Sequence, residues 1–336
     1  MSRPTGTVVV VGSLNVDQVV TVDRHPAPGE TLIATSFALL PGGKGANQAV
    51  AAARRGAPTV MVGSVGRDGA ATVATSLLAD SGVDVTHVRA VDAPTGLATI
   101  TVDRSGENTI VVVPGANAAT GTEAVLAAAD TVASAAVVVL QGEVPADGVG
   151  AAVTAATGRV LLNLAPVVPV GREVVLAADP LVVNEHEAAL VLAQLVPGAE
   201  VPADEGALVA MLRSLGIRSV VVTLGARGAL VSDDEDPAAV IAVPSPRVVA
   251  VDTSGAGDAF VGALAAGLAA GRSLLESARQ AVRVGAFAVQ GVGTQPSYPT
   301  LDDVLPEVES ESESESEVEV ESAPEDRTDG AQGVDA

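Results

Sequence analysis

Apolar residues along the chain fall into two alternating kinds of stretch. Residues 7–11, 136–140, 160–163, 181–183 and 220–223 are short, nearly unbroken apolar runs rich in valine, the pattern of strands buried on both faces. Alanine-rich stretches of helical period lie near 46–55, 70–79, 122–133, 147–157, 186–195 and 205–214, with two more near 258–270 and 274–289. A short strand is expected at 59–62, and the run 248–251 reads as the last one. Strands alternating with helices predict βαβ units, hence an α/β fold with a central, mostly parallel sheet and helices on both faces.

The early part of the chain departs from this rhythm. Runs at 18–22 and 31–37 flank a turn holding Pro26, Pro28 and Gly29. Runs at 97–102 and 109–113 flank the polar hexapeptide that begins at Asp103. Neither pair has room for a helix between its strands. A small separate β-sheet is expected from about 15–40 and 95–115, serving as a lid or an interface element. No internal repeat is visible.

Composition narrows the classes. The chain has 336 residues, 48% hydrophobic but only 1% aromatic, so its core must be Val, Ala and Leu. It has no cysteine, which excludes disulfides, thiolate catalysis and cysteine-ligated zinc. The N-terminus lacks a signal-peptide layout and no apolar stretch reaches membrane-span length, so a cytoplasmic location without a membrane partner is expected. The net charge of −23 argues against nucleic acid as a partner. Nearly half of that charge sits beyond residue 305, where 306–336 holds twelve acids and one arginine. Its Glu-Ser alternation from Glu309 to Glu317 cannot bury apolar surface, and an acidic disordered tail is expected after a globular domain spanning 1–305.

Candidate chemistry concentrates after the strands, where open α/β sheets bind ligands. Asn15 and Asp17 follow the first strand; Glu143, Asn163, Asn184 and the segment from Gly225 to Gly228 follow later ones. The segment Asp252-Thr253-Ser254-Gly255-Ala256-Gly257-Asp258 is the richest. Gly255, Ala256 and Gly257 leave backbone N–H groups bare to converge on an anion at a helix start. Asp258 in that first turn suits a general base; it also suits the helix dipole with no further role. Lys44 is the only lysine, against 17 arginines, and lies in Gly42-Gly43-Lys44-Gly45-Ala46-Asn47-Gln48. That segment is no P-loop, because Gly45 stands where Ser or Thr must follow the lysine. Asn15, Asp17, Asn47 and Glu143 suit hydroxyl groups, although each alone could be a cap or turn residue. His25, His87 and His186 share no metal-ligand spacing and read as structural.

Taken in order, these segments resemble the ribokinase family of sugar kinases over about residues 7–300. The opening Gly12-Ser13-Leu14-Asn15-Val16-Asp17, the turn Pro28-Gly29-Glu30-Thr31, both glycine-rich signatures, Asn184-Glu185-His186-Glu187 and Thr223-Leu224-Gly225-Ala226-Arg227-Gly228 carry the likeness. The resemblance implies ATP-dependent phosphorylation of D-ribose at O5, or of another sugar or nucleoside. It places the sugar on Asn15, Val16, Asp17, Gly43, Lys44, Gly45, Ala46, Asn47 and Glu143, with Asp258 as base and the Gly255–Gly257 amides as the anion hole. It places ATP on Asn184, on Thr223, Leu224, Gly225, Ala226, Arg227 and Gly228, and on Gly257. Glu187 would help place magnesium, Mg2+, through water. Asp252, Ser254, Ala288, Gly291, Gly293 and Ser297 would surround a potassium ion, K+. A homodimer through the β lid is also implied. Gly291 stands where the family often has a larger residue, and the acidic tail has no counterpart there.

Overall fold

The computed structural model describes residues 6–236 and 239–308. The Glu-Ser stretch expected to be disordered begins at Glu309 and lies outside the described residues. In chain order the strands are β1 (Val8–Val11), β2 (Asn15–Thr21), β3 (Ser36–Gly42), β4 (Thr59–Gly66), β5 (Asp84–Val91), β6 (Gly96–Val102), β7 (Asn108–Val113), β8 (Val137–Gln141), β9 (Arg159–Asn163), β10 (Leu181–Asn184), β11 (Val220–Thr223), β12 (Ala229–Ser232) and β13 (Ile241–Val243). The helices are α1 (Lys44–Arg54), α2 (Gly69–Asp80), α3 (Thr122–Leu126), α4 (Ala129–Ser134), α5 (Ala146–Ala155), α6 (Arg172–Leu176), α7 (Glu185–Leu195), α8 (Glu205–Ser214), α9 (Ala256–Ala269) and α10 (Leu274–Ala288).

Nine strands form the large sheet in the order β13-β12-β11-β10-β9-β8-β1-β4-β5. The stretch from β11 to β5 is parallel, and β12 and β13 close one edge antiparallel. Alternation along each strand divides the core between two faces. Val8 and Val10 join the cluster that α1, α2, α9 and α10 cover, whereas Val9 and Val11 join the cluster beneath α5, α7 and α8. The second sheet has the order β3-β2-β6-β7, with β2 and β6 parallel and the outer pairs antiparallel. The expected small sheet is therefore present.

Several expectations need correction. The run 248–251 is not a strand. The amides of Val251 and Asp252 bond to the Val289 carbonyl at the end of α10. The run pairs with no strand: Val249 and Val251 are 84% and 62% exposed, while Val248 and Ala250 line a cavity. The strand expected at 31–37 lies at Ser36–Gly42 instead, because pairing with β2 from Thr21↔Ser36 to Asn15↔Gly42 sets its register. Pro41 is tolerated there because β3 is an edge strand. The stretch 122–133 divides into α3 and α4, and β4 runs on to Gly66. Asn15 and Asp17 belong to β2, in the small sheet, not to the rim of the large one. Among the described residues no helix is long and apolar enough to cross a membrane.

Candidate active site

Helices α1 and α9 pack close together and run the same way. A Cβ on Gly262 would lie 2.5 Å from both the Gln48 carbonyl oxygen and the Ala51 side chain, so only glycine permits this approach. The parallel register brings both N-terminal turns to the junction of the two sheets. Gly43 caps α1 with φ 87°, and Gly255 caps α9 with φ 71°, in the left-handed region that disfavours a side chain.

Asp258, in the first turn of α9, is only 6% exposed. Both its oxygens are held by amides of α1: the Asn47 side chain donates to Oδ2 at 2.9 Å and the Gln48 side chain to Oδ1 at 2.8 Å. These amides are fixed in turn. Gln295 donates to Asn47 Oδ1 at 2.9 Å, Gln141 donates to Gln48 Oε1 at 2.7 Å, and Gln48 also donates to Asn163 at 2.9 Å. Asn163 in turn donates to the Val182 carbonyl at 2.9 Å. A carboxylate that only accepts hydrogen bonds, gripped from one side by buried donors, keeps a fixed orientation. Sequence reasoning singled out Asn47 and Asn163 but missed Gln48, Gln141 and Gln295, which read as ordinary polar positions until the fold buries them.

Lys44 begins α1 beside Asp258. The charge of Asp258 outweighs the opposing effect of burial and, with Glu143 and Glu187, holds the Lys44 ammonium above its ordinary range. Glu143 accepts from the Ser13 hydroxyl at 2.5 Å and from the Lys44 amide at 3.0 Å, tying the loop after β8 to the start of α1. Asp17 is pushed up to about 7, first by burial and then by the charges of Glu143 and Asp258. Asn117 donates to Asn15 Oδ1 at 2.7 Å and accepts the Leu14 amide at 2.9 Å, which aligns Asn15 while leaving its own amide hydrogens available. Asn117 gave no signal in the sequence.

Lys44, Asn163, Asn184, Glu187, Gly257 and Asp258 line one cavity of about 140 Å³. Thr223 and Gly257 also belong to a neighbouring, mainly apolar cavity of about 430 Å³ with Gly225, Ala226, Gly228, Val248, Phe260 and Val289. A Cβ on Gly257 would meet nothing within 4 Å, so the backbone at the start of α9 faces open space. The structure thus brings a charged pocket and an apolar pocket together at one helix N-terminus, where backbone amides favour an anionic group.

Several expected site residues also have structural roles. Val16 and Ala46 are core side chains. Gly45 lies so close to the first strand's end that a Cβ would be 2.5 Å from the Ser13 amide nitrogen. Leu224 packs on the core, and Arg227 pairs with Glu185 and Glu205. Asn184 and Glu187 form a reciprocal capping box at the start of α7: the Asn184 side chain accepts the Glu187 amide at 2.8 Å, and Glu187 Oε2 accepts the Asn184 amide at 2.9 Å. Burial raises Asp252, but the amides of Ser254 and Gly293 outweigh it and hold the carboxyl below its usual range. Those amides donate to its two oxygens at 2.9 Å each. Ala288, Gly291 and Ser297 lie close to one another: a Cβ on Gly291 would be 2.9 Å from that of Ser297 and 3.9 Å from the Ala288 oxygen. Tyr298, the chain's only tyrosine, donates to the Gly255 carbonyl at 3.0 Å. Burial first, and then Asp258 and Asp17, raise its hydroxyl well above the usual range, so it remains a neutral donor.

Comparison with known proteins identifies the family. The model of the pfkB family carbohydrate kinases matches residues 5–301. A ribokinase of Schizosaccharomyces pombe is 36% identical over 311 residues, covering 88% of this chain and 96% of that one. A deoxyribokinase of Salmonella typhi is also 36% identical, over 307 residues, covering 88% and 96%. Among solved structures, an Arabidopsis thaliana ribokinase complexed with ribose and ATP superposes with a TM-score of 0.75 at 32% identity, covering 89% of this chain and 96% of that one. With a matching family model over nearly the whole globular body and relatives of this similarity, the chain belongs to the pfkB family of carbohydrate kinases.

Proposed function

We propose that the protein transfers the γ-phosphoryl group of ATP to O5 of D-ribose, giving ribose 5-phosphate and ADP. The observation that carries this reading is the Asp258 carboxylate, clamped by Asn47 and Gln48 at the N-terminus of α9 and opening on the charged cavity. A hydroxyl bound there gives its proton to Asp258 as its oxygen attacks phosphorus. The backbone amides from Gly255 to Gly257 and the Lys44 ammonium face the charge that gathers on the transferred group. The apolar cavity walled by Val248, Phe260 and Val289 suits a nucleobase. Ribose hydroxyls find acceptors in Asp17 and Glu143 and a donor in Asn15, with the tight backbone of Gly43 bringing them together.

Two metal ions enter this reading. The carboxylate of Glu187, one oxygen of which accepts the Asn184 amide, is a hard oxygen donor that suits magnesium, directly or through water. Magnesium bound with ATP would neutralise phosphate charge. The oxygens around Asp252, Ala288, Gly291 and Ser297 suit a monovalent cation such as potassium, beside the α9 anion site. The small sheet, with Phe37, Leu39 and Ile110 to Val113 exposed, is the face on which a second copy of the chain would pair. Sedimentation of the purified protein tests this: a monomer at micromolar concentration contradicts it. Release of ADP from ATP with D-ribose, compared with 2-deoxyribose, fructose and adenosine, tests the substrate. Ribose turning over more slowly than one of the others would overturn the assignment.

A further inference from the structure

A second charged feature lies at the far ends of the same helices. An open cavity of about 510 Å³ is lined by Arg55, which caps the C-terminus of α1, by Arg272 beyond the end of α9, and by Arg279 and Arg283 of α10. Glu276 and Asp303 are the acidic members of its wall. Glu276, Arg279 and Arg283 recur at helical spacing on one face of α10. Arg55 is held below its ordinary range by burial and by the charges of Arg272 and Arg283, against the pull of Asp303. Its Nε is buried without a hydrogen-bond partner among the described residues. A net cationic hollow is unexpected on a chain carrying −23.

The described chain ends at this hollow. Arg283 Nε donates to the Pro306 carbonyl at 2.8 Å, and its guanidinium also pairs with the Leu305 carbonyl at 3.2 Å and with Glu307 at 2.5 Å. The next acids are Glu309, Glu311, Glu313, Glu315 and Glu317. Nine residues reach up to ~30 Å when extended, ample to cross the cavity. In an extended segment alternate side chains share one side, so this alternation would offer five carboxylates together and the serines opposite. Arginine forks bind carboxylates in pairs and need no apolar partner surface.

We infer that the cavity bounded by Arg55, Arg272, Arg279 and Arg283 is a docking site for the chain's own acidic segment, residues 309–317. The segment neutralises a patch that would otherwise attract foreign polyanions, and it does so away from Asp258. This inference is independent of the substrate assignment.

The test is amide relaxation in the full-length, isotopically labelled protein. At about 20 mM NaCl the amides of 309–317 should relax several-fold faster than those of 325–336, which serve as the internal reference, and the difference should vanish near 500 mM NaCl as charges are screened. It should also vanish in the Arg272→Glu, Arg279→Glu double variant, with the spectrum of the body and the kinase activity unchanged. Added pyrophosphate should release the segment by competing for the arginines. The inference is overturned if 309–317 relaxes like 325–336 at low salt in the wild type. It is equally overturned if the double variant leaves the segment immobilised, or if pyrophosphate shifts the cavity amides while those of 309–317 stay unchanged.

Discussion

Replacing Asp17 by Asn should make the protein more stable, and increasingly so as pH rises. Asp17 sits on β2 with its carboxyl raised from 3.8 to about 7 by burial and by the charges of Glu143 and Asp258. Between pH 4 and 7 the folded protein therefore holds a proton on Asp17 that the unfolded chain has released. Because the native state binds more protons than the unfolded one in that window, stability falls as pH rises through it. The interval of about three pH units corresponds to at most about 4 kcal/mol between pH 4 and pH 8. For a folded body of about 300 residues that is on the order of 5 °C in melting midpoint. Asn fills the same space without a charge and removes this dependence. The assay is a series of thermal melts of wild type and Asp17→Asn at pH 5, 6, 7 and 8 without ligands. The variant should already melt a little above the wild type at pH 5 and gain further degrees up to about pH 7, with little further change to pH 8. Curves running parallel from pH 5 to 8 would refute the reasoning and mean that Asp17 titrates as an ordinary surface carboxyl. The variant should bind sugar more weakly throughout, because the site loses an acceptor for sugar hydroxyls.

Other consequences follow from the same geometry. Asp258→Asn should lower kcat by about 10²- to 10⁴-fold while leaving sugar affinity nearly intact, as measured by steady-state kinetics and calorimetry. Gln48→Leu leaves an oxygen of Asp258 and the Gln141 amide without their partner, so it should cost about 1–3 kcal/mol in chemical denaturation and lower kcat more than it raises KM. Gly43→Ala meets both a positive φ and a Cβ position 2.8 Å from the Asn15 amide nitrogen. It should cost about 1–3 kcal/mol and raise KM for the sugar, whereas Gly225→Ala, whose Cβ would meet nothing within 4 Å, should pay only for its own positive φ.

The parallel sheet was legible because strands buried on both faces must be apolar without interruption, and β1, β8 and β11 are nearly pure valine. The first small-sheet hairpin was less so: the turn was visible, but the register of β3 depends on β2, a long-range pairing that local composition does not encode. Strand β5, Asp84–Val91, escaped notice because polar residues interrupt it, which an edge strand with one wet side permits. The run at 248–251 misled because a β-branched run records residue type, and not whether a neighbouring strand accepts the hydrogen bonds. At the site, glycine-rich turns and the lone lysine stood out by residue type. The buried amides that orient Asp258 did not, since Gln48 in α1 differs from a solvated glutamine only through α9 lying against it. Arg227 showed the converse, a residue in a recognisable segment whose side chain is engaged by Glu185 and Glu205.

In the proposed reaction Asp258, positioned by α1, activates a hydroxyl of D-ribose toward ATP. The most direct measurement is the rate of ADP formation with D-ribose by the wild type and by Asp258→Asn, with 2-deoxyribose, fructose and adenosine as alternative acceptors. Turnover with ribose should exceed that with the other acceptors and should fall by orders of magnitude in the variant, with ribose still bound. Undiminished turnover in Asp258→Asn would contradict that role.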